Sequence, residues 1–125
     1  MVEMQFNFVS ASEAGDYFQV LFEEEKDNDE KGYFLMQRQF EFPDEDEFYL
    51  ESDDNRFCGH FQIAAASLSR DEFCLELLPS TERKKLRIRF YTDPDVFEEV
   101  KRVLRIMFED KILHLNQVRP EDYYV

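Results

Sequence analysis

The chain is predicted to be an α+β domain, a mainly antiparallel sheet of about six to seven strands with one C-terminal amphipathic helix packed on a face. Three features carry that expectation. Short aromatic and β-branched segments alternate with period two from about residue 4 to 91, turn residues interrupt them repeatedly, and the apolar spacing becomes helical only after Thr92-Asp93-Pro94. A chain of 125 residues buries roughly two-thirds of the surface its unfolded form exposes, enough for one core. Neither an internal repeat nor a linker divides it, so 1–125 reads as one domain: sheet about 4–91, helix about 94–109, irregular tail 113–125.

The elements follow in order. Residues 4–9 (MQFNFV) and 17–23 (YFQVLFE) read as strands, the first with Phe6 and Phe8 on one face, the second with Phe18, Val20 and Phe22 on one face. Ala14, Gly15 and Asp16 break the chain between them. After the polar run Glu24 to Lys31 and Gly32, a long third strand sets Phe34, Met36, Phe40 and Phe42 against Tyr33, Gln37, Gln39 and Glu41. Pro43 cannot donate to a ladder, so Pro43 to Glu47 reads as a turn, and Phe48 to Glu51 resumes a strand. Beyond a loop at Ser52 to Arg56, segments Phe61 to Leu68 and Phe73 to Leu78 form a hairpin across Ser69-Arg70-Asp71. Leu86, Ile88 and Phe90 face inward on one more strand, leaving Lys85, Arg87 and Arg89 outside.

Asp93 is a good N-cap and Pro94 suits the first helical position. Val96, Phe97, Val100, Val103, Leu104, Met107 and Phe108 then make one apolar stripe facing a sheet. Glu98 is placed to pair with Lys101 and Arg102, each pair contributing a few tenths of a kcal/mol. Leu113, Leu115 and Val118 are apolar enough to dock the tail against the body.

The formal net charge is −14, and it is uneven: residues 1–60 carry 17 acids and 4 bases, residues 61–125 carry 12 and 11. The segment 42–54 alone holds Asp44, Glu45, Asp46, Glu47, Glu51, Asp53 and Asp54 without a Lys or Arg. Such a field repels nucleic acid and anionic membrane and speeds association with a basic partner. Like charges so close together also cost stability, a cost that a basic partner would explain. Fourteen Phe and 6 Tyr are too aromatic for a disordered acidic tail and read as core. The N-terminal MVEMQFNFVS lacks a basic region followed by an apolar core, and no apolar run approaches a membrane span, so a cytoplasmic location is expected.

Catalytic signals are sparse. GxSxG, GxGxxG, Walker and HExxH patterns are all absent. His60 stands two residues after Cys58, but two ligands do not make a zinc site. Cys58 and Cys74 match no metal or redox spacing and read as reduced thiols, with a cross-strand disulfide as the lesser alternative. Asp27-Asn28-Asp29-Glu30-Lys31-Gly32 begins like a calcium loop, but Lys31 at position five and Arg38 at position twelve break the ligand pattern. No metal, cofactor or enzymatic activity is therefore expected, and the basic strand from Arg83 to Arg89 reads as an outward sheet face paired with neighbouring acids.

The middle of the chain resembles the immunity protein 10 family of bacterial polymorphic-toxin immunity proteins. The resemblance rests on Gly32-Tyr33-Phe34-Leu35-Met36-Gln37-Arg38, Phe48-Tyr49-Leu50-Glu51, Asp53-Asp54-Asn55, Gly59, Leu68-Ser69-Arg70-Asp71 and the strand-to-helix passage Arg89-Phe90-Tyr91-Thr92-Asp93. It covers roughly residues 17 to 110 and departs in the loop after Glu51, where Arg56, Phe57 and Cys58 intervene. It implies a small cytoplasmic protein that binds and blocks a cognate toxin domain.

Together these readings predict a non-enzymatic inhibitor that binds a basic toxin, a nuclease by charge complementarity. Its partner-binding residues are expected to be Asp44, Glu45, Asp46, Glu47, Glu51, Asp53 and Asp54 around an aromatic anchor at Tyr49. The alternative is a structural or adaptor module that self-associates, as a homodimer, through a sheet edge.

Overall fold

A computed structural model of the chain describes residues 1–28, 30–40, 47–79, 84–109 and 112–115. Nine strands and one helix follow in the order β1 Val2–Phe6, β2 Phe8–Ala14, β3 Tyr17–Glu23, β4 Tyr33–Gln39, β5 Glu47–Ser52, β6 Gly59–Leu68, β7 Glu72–Leu77, β8 Lys85–Phe90, α1 Pro94–Met107 and β9 Leu113–Leu115. Across the sheet the order is β1-β8-β7-β6-β5-β4-β3-β2, with β9 beside β6. The β1–β8 and β6–β9 pairs are parallel and the rest antiparallel.

The long strand β6 organises this arrangement. Its first residues, Gly59 to Gln62, pair with β5, while its later residues pair with β7 on one side and β9 on the other. A register shift between Ile63 and Ala65 marks the kind of irregularity that bends a strand. Strands β2 to β5 thus continue from one half of β6, and β7, β8, β1 and β9 from the other. Their inner rings meet: Phe22 of β3 lies 6.0 Å from Phe73 of β7 and 5.4 Å from Phe90 of β8.

Helix α1 begins as expected. The Asp93 carboxylate accepts from the Val96 amide at 2.9 Å, and Val100, Val103, Leu104 and Met107 are buried against the body, with contacts to β2 and β3. Lys101 pairs with Glu98 at 3.0 Å. Arg102 instead turns to Glu99 at 2.5 Å and to Glu13 of β2 at 2.7 Å, because that arrangement engages two carboxylates rather than one.

Several expectations are corrected. The sheet has nine strands rather than six or seven. The segment expected as one strand over 4–9 is split at Asn7, which leaves Phe6 buried at 4% exposure and Phe8 at 43%; the break reverses the alternation, so the two rings do not share a face. The tail is not irregular throughout, since 113–115 forms β9. Both thiols are free. Cys58 precedes β6 while Cys74 stands opposite Ser67, and nine residues of extended chain, on the order of 30 Å, lie between those points.

Gly59 opens β6 with φ +126°, a conformation a side chain resists. Gly59→Ala is expected to cost about 2 kcal/mol, read as a lower urea midpoint with an unchanged slope.

Candidate functional site

Strand β5 alternates cleanly. Phe48, Leu50 and Ser52 are buried, while Glu47, Tyr49 and Glu51 point to the outer face. The register then assembles that face across four strands: Gln19 of β3 stands beside Gln37 of β4, Gln37 beside Tyr49, and Tyr49 beside His60 of β6. Tyr17 and Gln39 form the neighbouring row, and Leu21, Leu35 and Glu51 the next. Apart from the half-buried Leu21 and Leu35, these are polar or amphipathic positions of strands whose other face fills the core.

Hydrogen bonds tie neighbouring side chains of the face together. The Tyr17 hydroxyl donates to Gln37 Oε1 at 2.6 Å, and Gln37 Nε2 donates to Gln19 Oε1 at 2.7 Å. The Tyr49 hydroxyl donates to Glu51 Oε1 at 2.9 Å and the Tyr33 hydroxyl to Glu51 Oε2 at 3.2 Å. Each oxygen of Glu51 thereby gains a neutral donor, so its orientation is fixed without its charge being cancelled. The Tyr49 and His60 rings lie 5.4 Å apart. A shallow cleft of about 300 Å³ opens between Tyr17, Gln37, Gln39, Glu47, Tyr49 and His60.

The hydrogen bond to the Glu51 carboxylate, with some desolvation and the nearby negative charge, pushes the Tyr49 phenol above its ordinary range. A raised value favours the folded state below the ordinary tyrosine pKa, and that preference is lost as pH rises through the raised one. Glu51→Gln is expected to bring one tyrosine back toward the ordinary range, visible in an ultraviolet titration; an unmoved curve would mean that the Tyr49–Glu51 bond does not form.

The expected acids divide. Glu47 and Glu51 share the face with Tyr49. Asp53 lies beyond the end of β5 near Gly32, where Glu24 also approaches: a Cβ at Gly32 would sit 3.2 Å from Glu24 Oε2 and 3.6 Å from Asp53 Oδ2. Asp54 is turned to local work, since its carboxylate accepts from the Arg56 amide at 3.0 Å and pairs with the Arg56 guanidinium at 2.6 Å. The Arg56 side chain holds the Asp54 carboxyl below its usual value. In the same loop the buried Ser52 donates to the Asp54 carbonyl at 2.8 Å and Phe57 plugs into the core, 6.5 Å from Phe34. Asp44, Glu45 and Asp46 lie outside the described residues.

Tyr17, Gln19, Gln37, Gln39 and His60 were not among the expected binding residues. The outward parity of Tyr17, Gln19, Gln37 and Gln39 was readable from the alternation of β3 and β4, but His60 precedes the strand expected from Phe61, and only the pairing register brings these residues to Tyr49.

The surface offers aromatic, amide and carboxylate groups. Glu47 and Glu51 are four residues apart on one strand, about 13 Å, beyond the separation at which two carboxylates flank a glycosidic bond. Among the described residues no three His, Cys, Asp or Glu side chains converge to hold a metal ion. Cys74 sits elsewhere, on β7, where burial first and the bond to Glu72 second push its thiol up, away from a reactive thiolate. The basic strand β8 is partly neutralised: Arg87 lies 3.1 Å from Glu72 and 3.2 Å from Glu3, and Arg89 3.9 Å from Glu72. Among the described residues no helix is long and apolar enough to cross a membrane. A scan of protein families and searches of curated proteins and solved structures find no match to the chain.

Proposed function

We propose that this chain is a non-enzymatic binding protein of the immunity type, which neutralises a basic toxin domain by covering it with the outer face of β3 to β6. The observation that carries the reading is the composition of that face. Tyr17, Tyr49 and His60 supply aromatic area, Gln19, Gln37 and Gln39 supply adaptable hydrogen bonds, and Glu47 and Glu51 supply charge on a rigid sheet. Aromatic anchors surrounded by polar groups are what the centre of a protein interface uses. The net charge of −14 suits a cationic partner by steering its approach. A nuclease fits that chemistry because its groove must already attract phosphates. The immunity assignment itself rests on the sequence resemblance around Gly32 to Arg38 and Phe48 to Glu51, and a cytoplasmic location goes with it.

The test is protection and complex formation. The resemblance implies a toxin encoded beside this chain; cells expressing it are expected to survive when the wild-type protein is co-expressed, and the two proteins to co-elute. Tyr49→Ala is expected to weaken the complex by about 2 kcal/mol, roughly 30-fold, while its urea midpoint stays near wild type. A concentration-dependent homodimer without a heterocomplex would replace this reading with that of a self-associating module.

A further inference from the structure

A second docking feature lies away from the tyrosine face, along β2. Among the described residues this strand pairs only with β3. The hairpin between them turns on Gly15 and Asp16, which makes Ala14 and Tyr17 the hydrogen-bonded pair beside the turn. By alternation Ser12 and Ser10 also direct their backbone groups toward β3, and Glu13, Ala11 and Val9 direct theirs away. The Glu13 end of this edge is tied to α1 by Arg102 at 2.7 Å. The Val9 and Ala11 end is open: a groove of about 750 Å³ runs between Asn7 to Ala11 and the passage from β8 into α1, where Tyr91, Asp93 and Val96 form its other wall.

Two aromatic rings in this groove are exposed, Phe8 at 43% and Tyr91 at 63%. Glu23, whose exposure is only 7%, lines it as well. Glu23 Oε2 accepts from the Asp27 amide at 3.0 Å, whereas no hydrogen bond reaches Oε1 from the described residues. Asp27 stands beside it, and the remaining acids are already engaged, Asp93 as the helix cap and Glu99 with Arg102. Lys26 is the one base in the lining. The groove therefore combines the outward backbone groups of Val9, whose side chain is in the core, and of the partly buried Ala11 with aromatic surface and a mostly buried carboxylate that has an open oxygen.

We propose that the free edge of β2 at Val9 and Ala11, together with Glu23, docks an extended arginine-bearing segment of the basic partner. The segment adds a short strand to the sheet through the Val9 and Ala11 backbone groups. Its arginine reaches Glu23, and a guanidinium is suited to this because it bonds a carboxylate while lying on aromatic surface. The proposal rests on the reading that the partner is basic, but its site shares no residue with the Tyr49 cleft.

The experiment uses the full chain labelled with 15N and a capped peptide of alternating valine and arginine as the probe. Saturable amide shifts at Val9, Ala11 and Asp27 are expected, with affinity falling about tenfold when citrulline replaces arginine. Glu23→Gln, which keeps an acceptor for the Asp27 amide, is expected to lower affinity to the same extent. Ala11→Pro removes an outward N–H, a change edge strands tolerate, and is expected to abolish binding; Tyr49→Ala is expected to bind as wild type does. Equal binding by wild type, Glu23→Gln and Ala11→Pro would overturn the proposal, as would shifts centred on Tyr49 or a β2-edge homodimer that Ala11→Pro dissolves. If toxin protection depends on Tyr49 while the peptide does not bind at β2, this site fails and the proposed function stands.

Discussion

Phe22→Ala is expected to destabilise the fold by about 4 kcal/mol. Phe22 is fully buried, and its ring is surrounded by four others: Phe90 at 5.4 Å, Phe73 at 6.0 Å, Phe6 at 6.1 Å and Phe34 at 6.3 Å. Those rings come from β8, β7, β1 and β4, so the cavity left by alanine would open between strands from both ends of the sheet order. The four remaining rings cannot collapse into that space without leaving their rotamers, which places the cost in the upper part of the large-to-small range. Since a domain of this size has only about 5–15 kcal/mol in total, the variant would be marginal at 37 °C. Phe22→Leu, which keeps most of the volume, is expected to cost about 1 kcal/mol. Urea unfolding with an unchanged slope measures both; a cost below about 1.5 kcal/mol for Phe22→Ala would mean that the two sets of strands do not share this core.

Arg38→Ala is expected to cost about 3 kcal/mol. The Arg38 side chain is 9% exposed and joins three elements. Its guanidinium donates to the Met107 carbonyl at 2.8 Å, satisfying an end of α1 that has no partner within the helix. It also lies 4.9 Å from the centre of the Phe40 ring and 4.8 Å from that of Phe48, which in turn packs 4.7 Å from Phe108. The ion pair with Glu109 at 3.5 Å contributes less, because Glu109 is 40% exposed and screened. Removing Arg38 therefore uncaps the helix and uncovers two rings, and the loss should be nearly independent of salt. Lysine keeps the charge but not the planar donor fork, so Arg38→Lys is expected to recover only about half of the stability. Full recovery by lysine, or a strong salt dependence, would assign the effect to simple charge pairing with Glu109.

Local grammar accounts for the parts of this fold that the sequence made legible. Asp93 and Pro94 announce α1 because capping and a fixed φ act on the residues themselves. The alternation of Phe18, Val20 and Phe22, of Phe73, Leu75 and Leu77, and of Leu86, Ile88 and Phe90 announces three strands because each contributes one apolar face. Asn7 was missed because a one-residue break leaves Phe6 and Phe8 looking like one alternating face. The short strand β9 was missed because its parallel pairing to Ala66, Ser67 and Leu68 joins residues nearly fifty positions apart, and Leu113 and Leu115 alone carry too little pattern. On the outer face of β5, Tyr49 and Glu51 were readable as sharing a side, whereas Glu47, read as the end of a turn, instead opens the strand beside them. What sequence did not reveal was pairwise: Asp54 is absorbed by Arg56, and Gln19, Gln37 and His60 reach Tyr49 only through the register of three ladders.

Glu47 and Glu51 are proposed to steer a basic partner onto a face centred on Tyr49. The most direct measurement is the association rate of the proposed basic partner, purified, with wild type and with the Glu47→Lys/Glu51→Lys variant, by stopped flow between about 0.02 M and about 0.5 M salt. Wild type is predicted to associate at least about tenfold faster at the low end and to slow steeply as salt screens the field. The variant is predicted to start slower and to vary less, the two converging at high salt. Identical rates and identical salt slopes for the two proteins would remove these carboxylates from the encounter and contradict the claim.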